Sequence, residues 1–94
     1  MIWPAMMKFI LGEITITPAA LRAVPAGEIY RGIYRHVCGD WGEVNETSRA
    51  ENEFSLLHGF QLLSVYETGD GAKFHVLTDA HRTKTTVHLP QESI

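Results

Sequence analysis

The sequence predicts an α+β domain: an N-terminal strand, two to three helices, then a three-stranded antiparallel meander packed on the helices. Three observations carry this. Residues 60–90 hold three runs rich in β-branched and aromatic residues, separated by short polar turns. Residues 18–58 carry helical spacing bounded by cap signals. The only strand-like run before them is "KFILGEITIT", residues 8–17. Helices ahead of a meander, without strand–helix alternation, give segregated layers.

In order, residues 8–17 read as one strand or a short hairpin around Gly12–Glu13. Thr17 then Pro18 is an N-cap followed by proline at the first helical position, and "PAALRAV" ends at Pro25. "AGEIYRGIYRHV" follows, with Ile29, Ile33 and Val37 stacked at spacings of four and Tyr30 and Tyr34 beside them. Gly39 stands where a helix end takes a left-handed residue. Ser48 with Glu51 reads as a capping box for a third helix, with Ala50, Phe54 and Leu57 as its buried stripe and Gly59 as its stop. The strands are "FQLLSVYE" (60–67), "KFHVLTD" (73–79) and "KTTVHLP" (84–90), joined by "TGDG" and "AHRT".

Four-residue loops would pair Glu67 with Ala72 and Asp79 with Lys84. Leu63, Val65, Phe74, Val76, Val87 and Leu89 then share the face that meets the helices. The other face carries Ser64, Tyr66, Lys73, His75, Leu77, Lys84, Thr86 and His88, with His75 directly opposite His88.

At 94 residues with 45% hydrophobic and 20% charged content, the chain reads as a single domain, residues 8–94, behind a short N-terminal extension at 1–7. A net charge of −3 gives no global reason to bind nucleic acid or an anionic membrane. The charge is uneven: Glu43, Glu46, Glu51 and Glu53 against Arg49 leave residues 43–59 at −3. One cysteine, Cys38, precludes an internal disulfide and suits a reducing compartment. "MIWPAMM" lacks the charged start of a signal peptide, and the apolar runs are too short for a membrane span. The expectation is a cytoplasmic protein with no membrane partner.

Two stretches carry the candidate chemistry. Facing histidines at His75 and His88 could divide acid and base roles; with Lys73, Lys84 and Thr86 nearby, the surface resembles one on which small antiparallel-sheet ribonucleases cleave RNA. His36 and Arg82 would complete that catalytic set, with a general acid or base and a phosphate-stabilising cation. Against it, no acidic third partner shares the face, and two ligands fall short of a metal site. Histidines at helix ends, His36 and His58, are better explained as caps, and Cys38 as an inert thiol. The second stretch is "GDWG", residues 39–42. Trp41 between glycines either plugs the end of a core or anchors an interface, with Asp40 beside it as acceptor. Arg82, at a basic hairpin tip, is a second docking candidate. No phosphate loop or dinucleotide pattern occurs, so neither cofactor nor metal is expected.

The succession His36-Val37-x-Gly39-Asp40-Trp41-Gly42, Arg49 and Asn52, Leu62-Leu63-Ser64-x-Tyr66, Asp70-Gly71-x-Lys73, Arg82, Thr85-Thr86 and Leu89-Pro90 resembles a family of small proteins of plasmids and integrating elements. Its members are labelled "plasmid-related protein" or "type I restriction endonuclease subunit M". The resemblance covers about residues 8–92. The methyltransferase label fits no feature of this chain, which lacks a glycine-rich cofactor loop and a base-methylation motif. Relatives carry Trp at the position of His75, Leu at that of His88, an acidic residue at that of His81 and Asp at that of Ser48. An aromatic–aliphatic pair in place of two histidines weakens the catalytic reading. What the resemblance carries over is the loop His36, Asp40 and Trp41 with Asn52, and the hairpin Arg82 with Thr86. It implies a mobile-element accessory protein that binds a host or rival-element complex, such as an inhibitor of CRISPR–Cas or restriction. The endoribonuclease is the rival expectation. A nucleic-acid binder using Lys73, Lys84 and Arg82 is disfavoured by the acidity, and a second copy could cover the open sheet face.

Overall fold

A computed structural model describes residues 7–92, so the expected extension at 1–7 lies, Met7 apart, outside the described residues. The elements are β1 (Glu13–Ile16), α1 (Pro18–Ala23), α2 (Ala26–Val37), α3 (Glu46–His58), β2 (Leu62–Glu67), β3 (Lys73–Thr78) and β4 (Lys84–His88). The α+β class and the order of elements are as the sequence predicts. The sheet is four-stranded, in the order β1-β4-β3-β2, because β1 joins the meander parallel to β4. Residues 8–12 are not strand: they run as a loop in which the Lys8 amide donates to the Val37 carbonyl at the end of α2 (2.8 Å).

Helix signals act where they stand in the chain. The Thr17 hydroxyl accepts from the Ala20 amide at 3.1 Å, with Pro18 opening α1. Ile29, Ile33 and Val37 are buried in α2, while Tyr30 and Tyr34 lie on its exposed flank. The helix comes so close to the sheet that a Cβ on Gly32 would fall 2.7 Å from the Phe74 ring. Ala20, Val24, Ile29, Ile33, Phe74, Val76 and Val87 form the core between helices and sheet.

The second hairpin has the expected register, with Asp79 pairing with Lys84 through its amide (3.1 Å) and His75 opposite His88. The first hairpin does not. Its turn includes Ala72, whose carbonyl accepts from the Thr68 amide (2.8 Å) and whose amide donates to the Thr68 hydroxyl (3.1 Å). Glu67 therefore pairs with Lys73, one residue beyond expectation. A one-residue slip turns every β2 side chain over. Leu62, Ser64 and Tyr66 go to the helix face and are buried; Leu63 and Val65 go to the open face and are half-buried.

The third helix also departs from expectation. Its cap is Asn45, whose side chain accepts from the Ser48 amide at 2.8 Å, so Ser48 lies inside the first turn. The expected buried stripe is exposed, with Phe54 at 54% and Leu57 at 83% of their surface, and Asn52 and Ser55 are buried instead. The reason is position: α3 lies against the edge of β2, where hydrogen bonds to backbone outrank apolar contact.

Candidate functional site

His36, in the last turn of α2, is fully buried and bonded to two strands, and through them to a third. Its Nδ1 lies 2.6 Å from the Ser64 hydroxyl and its Nε2 2.9 Å from that of Thr78. Thr78 lies 2.7 Å from the Thr85 hydroxyl, which donates to the Leu11 carbonyl at 2.7 Å. A carbonyl only accepts, and this fixes every proton in the chain. Thr85 donates to Leu11, so Thr78 donates to Thr85, His36 Nε2–H donates to Thr78, and Ser64 donates to a bare Nδ1. The neutral Nε2–H tautomer satisfies all of them. Burial, helped by the Arg82 charge, holds the imidazole pKa down at about 3.

Trp41 shares this compartment. The ring is fully buried, edge-on to His36 with centroids 5.7 Å apart and stacked on Phe9 at 6.3 Å. Its Nε1–H donates to Glu53 at 2.9 Å. Its carbonyl accepts from the Val65 amide (3.1 Å), and the Glu43 amide donates to the Val65 carbonyl (2.6 Å), so residues 41–43 extend the sheet beside β2. Gly42 makes this approach possible: its φ is +77°, and a Cβ there would fall 2.0 Å from the Val65 oxygen. The packing alternative for Trp41 is the one the fold adopts. An interface anchor must present its ring, and this ring is closed off.

Asp40 stays exposed. Its carboxylate takes a bidentate bond from Arg35 (2.8 and 3.1 Å) and accepts from the Gly42 amide (3.3 Å), and the Arg35 bond holds its pKa low. The same guanidinium lies 4.7 Å over the Tyr66 ring, whose hydroxyl donates to the Asp40 carbonyl at 2.6 Å.

Arg82 is not the solvent-facing hairpin cation that the sequence suggests. It is half-buried, with a left-handed backbone (φ 60°), and its guanidinium donates to the carbonyls of Phe60 (2.7 Å), Asp79 (3.0 Å), Ala80 (3.2 Å) and Ser55 (2.9 Å). It ties the end of α3 to the β3–β4 turn. His75 and His88 do meet on the open face, ring centroids 5.1 Å apart, with His88 Nδ1–H donating to the Leu89 carbonyl (2.9 Å). Burial, and then the neighbouring His88, lower the His75 pKa. His36 lies on the opposite face of the sheet, so His36, His75, Arg82 and His88 do not converge on one substrate position. Among the described residues no three His, Cys, Asp or Glu side chains are grouped to hold a metal, and no helix is long and apolar enough to cross a membrane.

A groove lies elsewhere, between α3 and the open face of β2. This groove, of about 870 Å³, is lined by Val44, Ala50, Phe54, Phe60, Leu63 and Val65, with Glu43 and Glu51 as its charged residues. Phe54 and Phe60 stack at 6.0 Å and stay more than half exposed. Sequence reasoning missed it for two linked reasons: Leu63 and Val65 were assigned to the core face, and Ala50 and Phe54 to a buried stripe. Their apolar character was visible in the sequence; that they face one another across a gap was not. A smaller apolar hollow of about 260 Å³ lies on the other side, between α2 and Leu11 and Ile14. Comparison of this chain with family models, curated proteins and solved structures finds no match.

Proposed function

We propose that this chain is a non-enzymatic accessory protein of mobile elements that binds a host or rival-element macromolecular complex, and inhibits a defence system such as CRISPR–Cas or restriction. The genetic setting comes from the resemblance of residues 8–92 to plasmid and integrating-element proteins. The observation that supports binding is the exposed Phe54–Phe60 stack beside an unfilled apolar groove. Two stacked aromatic rings exposed side by side, next to apolar floor residues, make the kind of contiguous patch that marks an interaction site. Glu43 and Glu51 supply charged edges to the groove, and Asp40 presents an exposed carboxylate three residues before Glu43. Trp41 and Arg82 act from inside, positioning the Asp40 corner and the end of α3.

The test is affinity capture from a bacterial host lysate with wild type beside the Phe54→Ala/Phe60→Ala double variant and Asp40→Asn, each checked for unchanged melting. The captured complex is then rebuilt from purified components. Wild type is expected to retain a defined protein complex, the double variant to lose it, and Asp40→Asn to weaken it. Retention of nothing, or of RNA alone, overturns the reading.

A further inference from the structure

We infer that the α3–β2 groove receives a cationic amphipathic helix, a polypeptide segment with apolar side chains along one side and Lys or Arg flanking them. This rests on the binding function proposed above and adds the chemistry of the occupant.

The backbone excludes the main alternative for a groove beside a sheet edge, which is addition of a strand. All four outward-facing backbone groups of Leu63 and Val65 are already taken. Asn52 Nδ2 donates to the Leu63 carbonyl (2.8 Å) and Asn52 Oδ1 accepts from its amide (3.1 Å), while Trp41 and Glu43 bond Val65. An occupant therefore docks through side chains, as a helix does. The walls have the right length: the 13 residues of α3 extend about 20 Å, which accommodates between three and four turns of a facing helix.

The charge specifies the rest. The charged side chains lining the groove are both acidic, Glu43 and Glu51. On the surrounding segment Glu46 and Glu53 add to them, and Arg49 is held by Glu46 (3.3 Å). Residues 43–59 sum to −3. That field repels a phosphate backbone and a second copy of this chain alike, and attracts a basic segment, setting its orientation and on-rate. The apolar floor of Val44, Leu63 and Val65, with the Phe54–Phe60 wall, supplies the contact area for aliphatic anchors at helical spacing.

The experiment pans a display library of random 16-residue peptides against the full chain, then measures selected peptides by calorimetry against three proteins: wild type, Phe54→Ala/Phe60→Ala, and Glu43→Lys/Glu51→Lys. All four positions are substantially exposed, so melting temperatures serve as folding controls. Selected sequences are expected to be net positive, with apolar residues at i, i+3/i+4 and i+7. Their affinity should fall at least tenfold in each variant and weaken with salt. Peptides that are neutral or acidic, that bind the variants as well as wild type, or that fail to emerge overturn the occupant. So does a concentration-dependent dimer that the phenylalanine substitutions abolish, which would assign the groove to a second copy. If no cationic peptide binds while the lysate complex is still captured through Phe54 and Phe60, the occupant is wrong and the binding function stands. If capture fails too, both fall.

Discussion

On the helix-covered face of the sheet, Ser64, Thr78 and Thr85 are polar yet fully buried, and each is fixed by a hydrogen bond that begins at a single carbonyl, that of Leu11. On the opposite face, one residue along β2 and β3, Leu63, Val65, His75 and Leu77 are half-buried, although Thr86 and His88 of β4 are buried, and a groove remains open beside β2. At β2 it is a polar residue, Ser64, that lies on the closed side and apolar residues, Leu63 and Val65, that border the groove. Hydrophobic pattern alone assigns the faces the other way round at β2, because it values Val65 above Ser64. What decides is satisfaction: a buried hydroxyl with a partner costs little, and His36 gives Ser64 that partner.

The largest test of this contrast uses neighbours. Leu62→Lys places a charge in the core and should cost about 4 kcal/mol or more, enough to unfold much of a domain this size, whereas Leu63→Lys points into the groove and should cost under about 1 kcal/mol. Urea denaturation of the two variants reads the difference; equal losses would mean that the β2 register is wrong. Trp41→Ala belongs with the first, at about 3–5 kcal/mol, because it empties the space between His36 and Phe9.

The next effect is in pH. His36 has its pKa depressed to about 3 in the fold against an ordinary value near 6.5, so between these limits the unfolded state binds the extra proton. Stability is therefore fully present above pH 6.5 and is lost as pH falls toward 3. Between pH 6.5 and 4.5, above the range where most carboxylates titrate, the loss should reach ~2 kcal/mol. His36→Gln starts less stable at pH 7 but should show a much flatter profile over that window. A parallel profile would show that His36 is not the titrating group.

The legibility of the molecule follows the same divide. Caps and turns whose chemistry is local were readable: Thr17–Pro18, the left-handed Gly39 and Gly59, and the Asp79–Lys84 turn. Features in which two local choices compete, or a distant partner decides, were not. Ala72 joins its turn because the Thr68 hydroxyl accepts from the Ala72 amide, and Asn45 competes with Ser48 for the same cap with nothing local to choose between them. Several polar residues were visible in the sequence, but their work was not. His36, Ser64 and Thr85 form one proton-ordered chain, Asn52 closes the edge of β2, and Arg82 holds the end of α3. These residues wire the domain together from inside, and of the docking candidates only Asp40 keeps its side chain at the surface.

A smaller effect tests that wiring where it borders the groove. Arg82→Lys keeps the charge and loses the planar fan of bonds to Ser55, Phe60, Asp79 and Ala80, at an expected cost of about 2 kcal/mol. Hydrogen exchange should show the loss at the C-terminal turn of α3 and the β3–β4 turn. Uniform loosening of the whole chain would mean that α3 has no independent stability for Arg82 to control.

The smallest change should come from the pair that looked most chemical. The double substitution His75→Trp/His88→Leu puts an aromatic–aliphatic pair on the open face. His75 is only half-buried there, so part of a larger ring can lie toward solvent, and a leucine side chain is close in volume to the buried His88 imidazole it replaces. The double variant should stay within about 1.5 kcal/mol of wild type at pH 7. The His75 pKa is lowered, by burial first and His88 second, so His75 costs the native state stability as pH falls through the ordinary histidine range. The variant should therefore gain on wild type at pH 5, in melting curves recorded at both values. If instead it fails to fold, the open face is wired as tightly as the covered one, and the contrast between a closed side and an accommodating side has to be confined to the α3 groove.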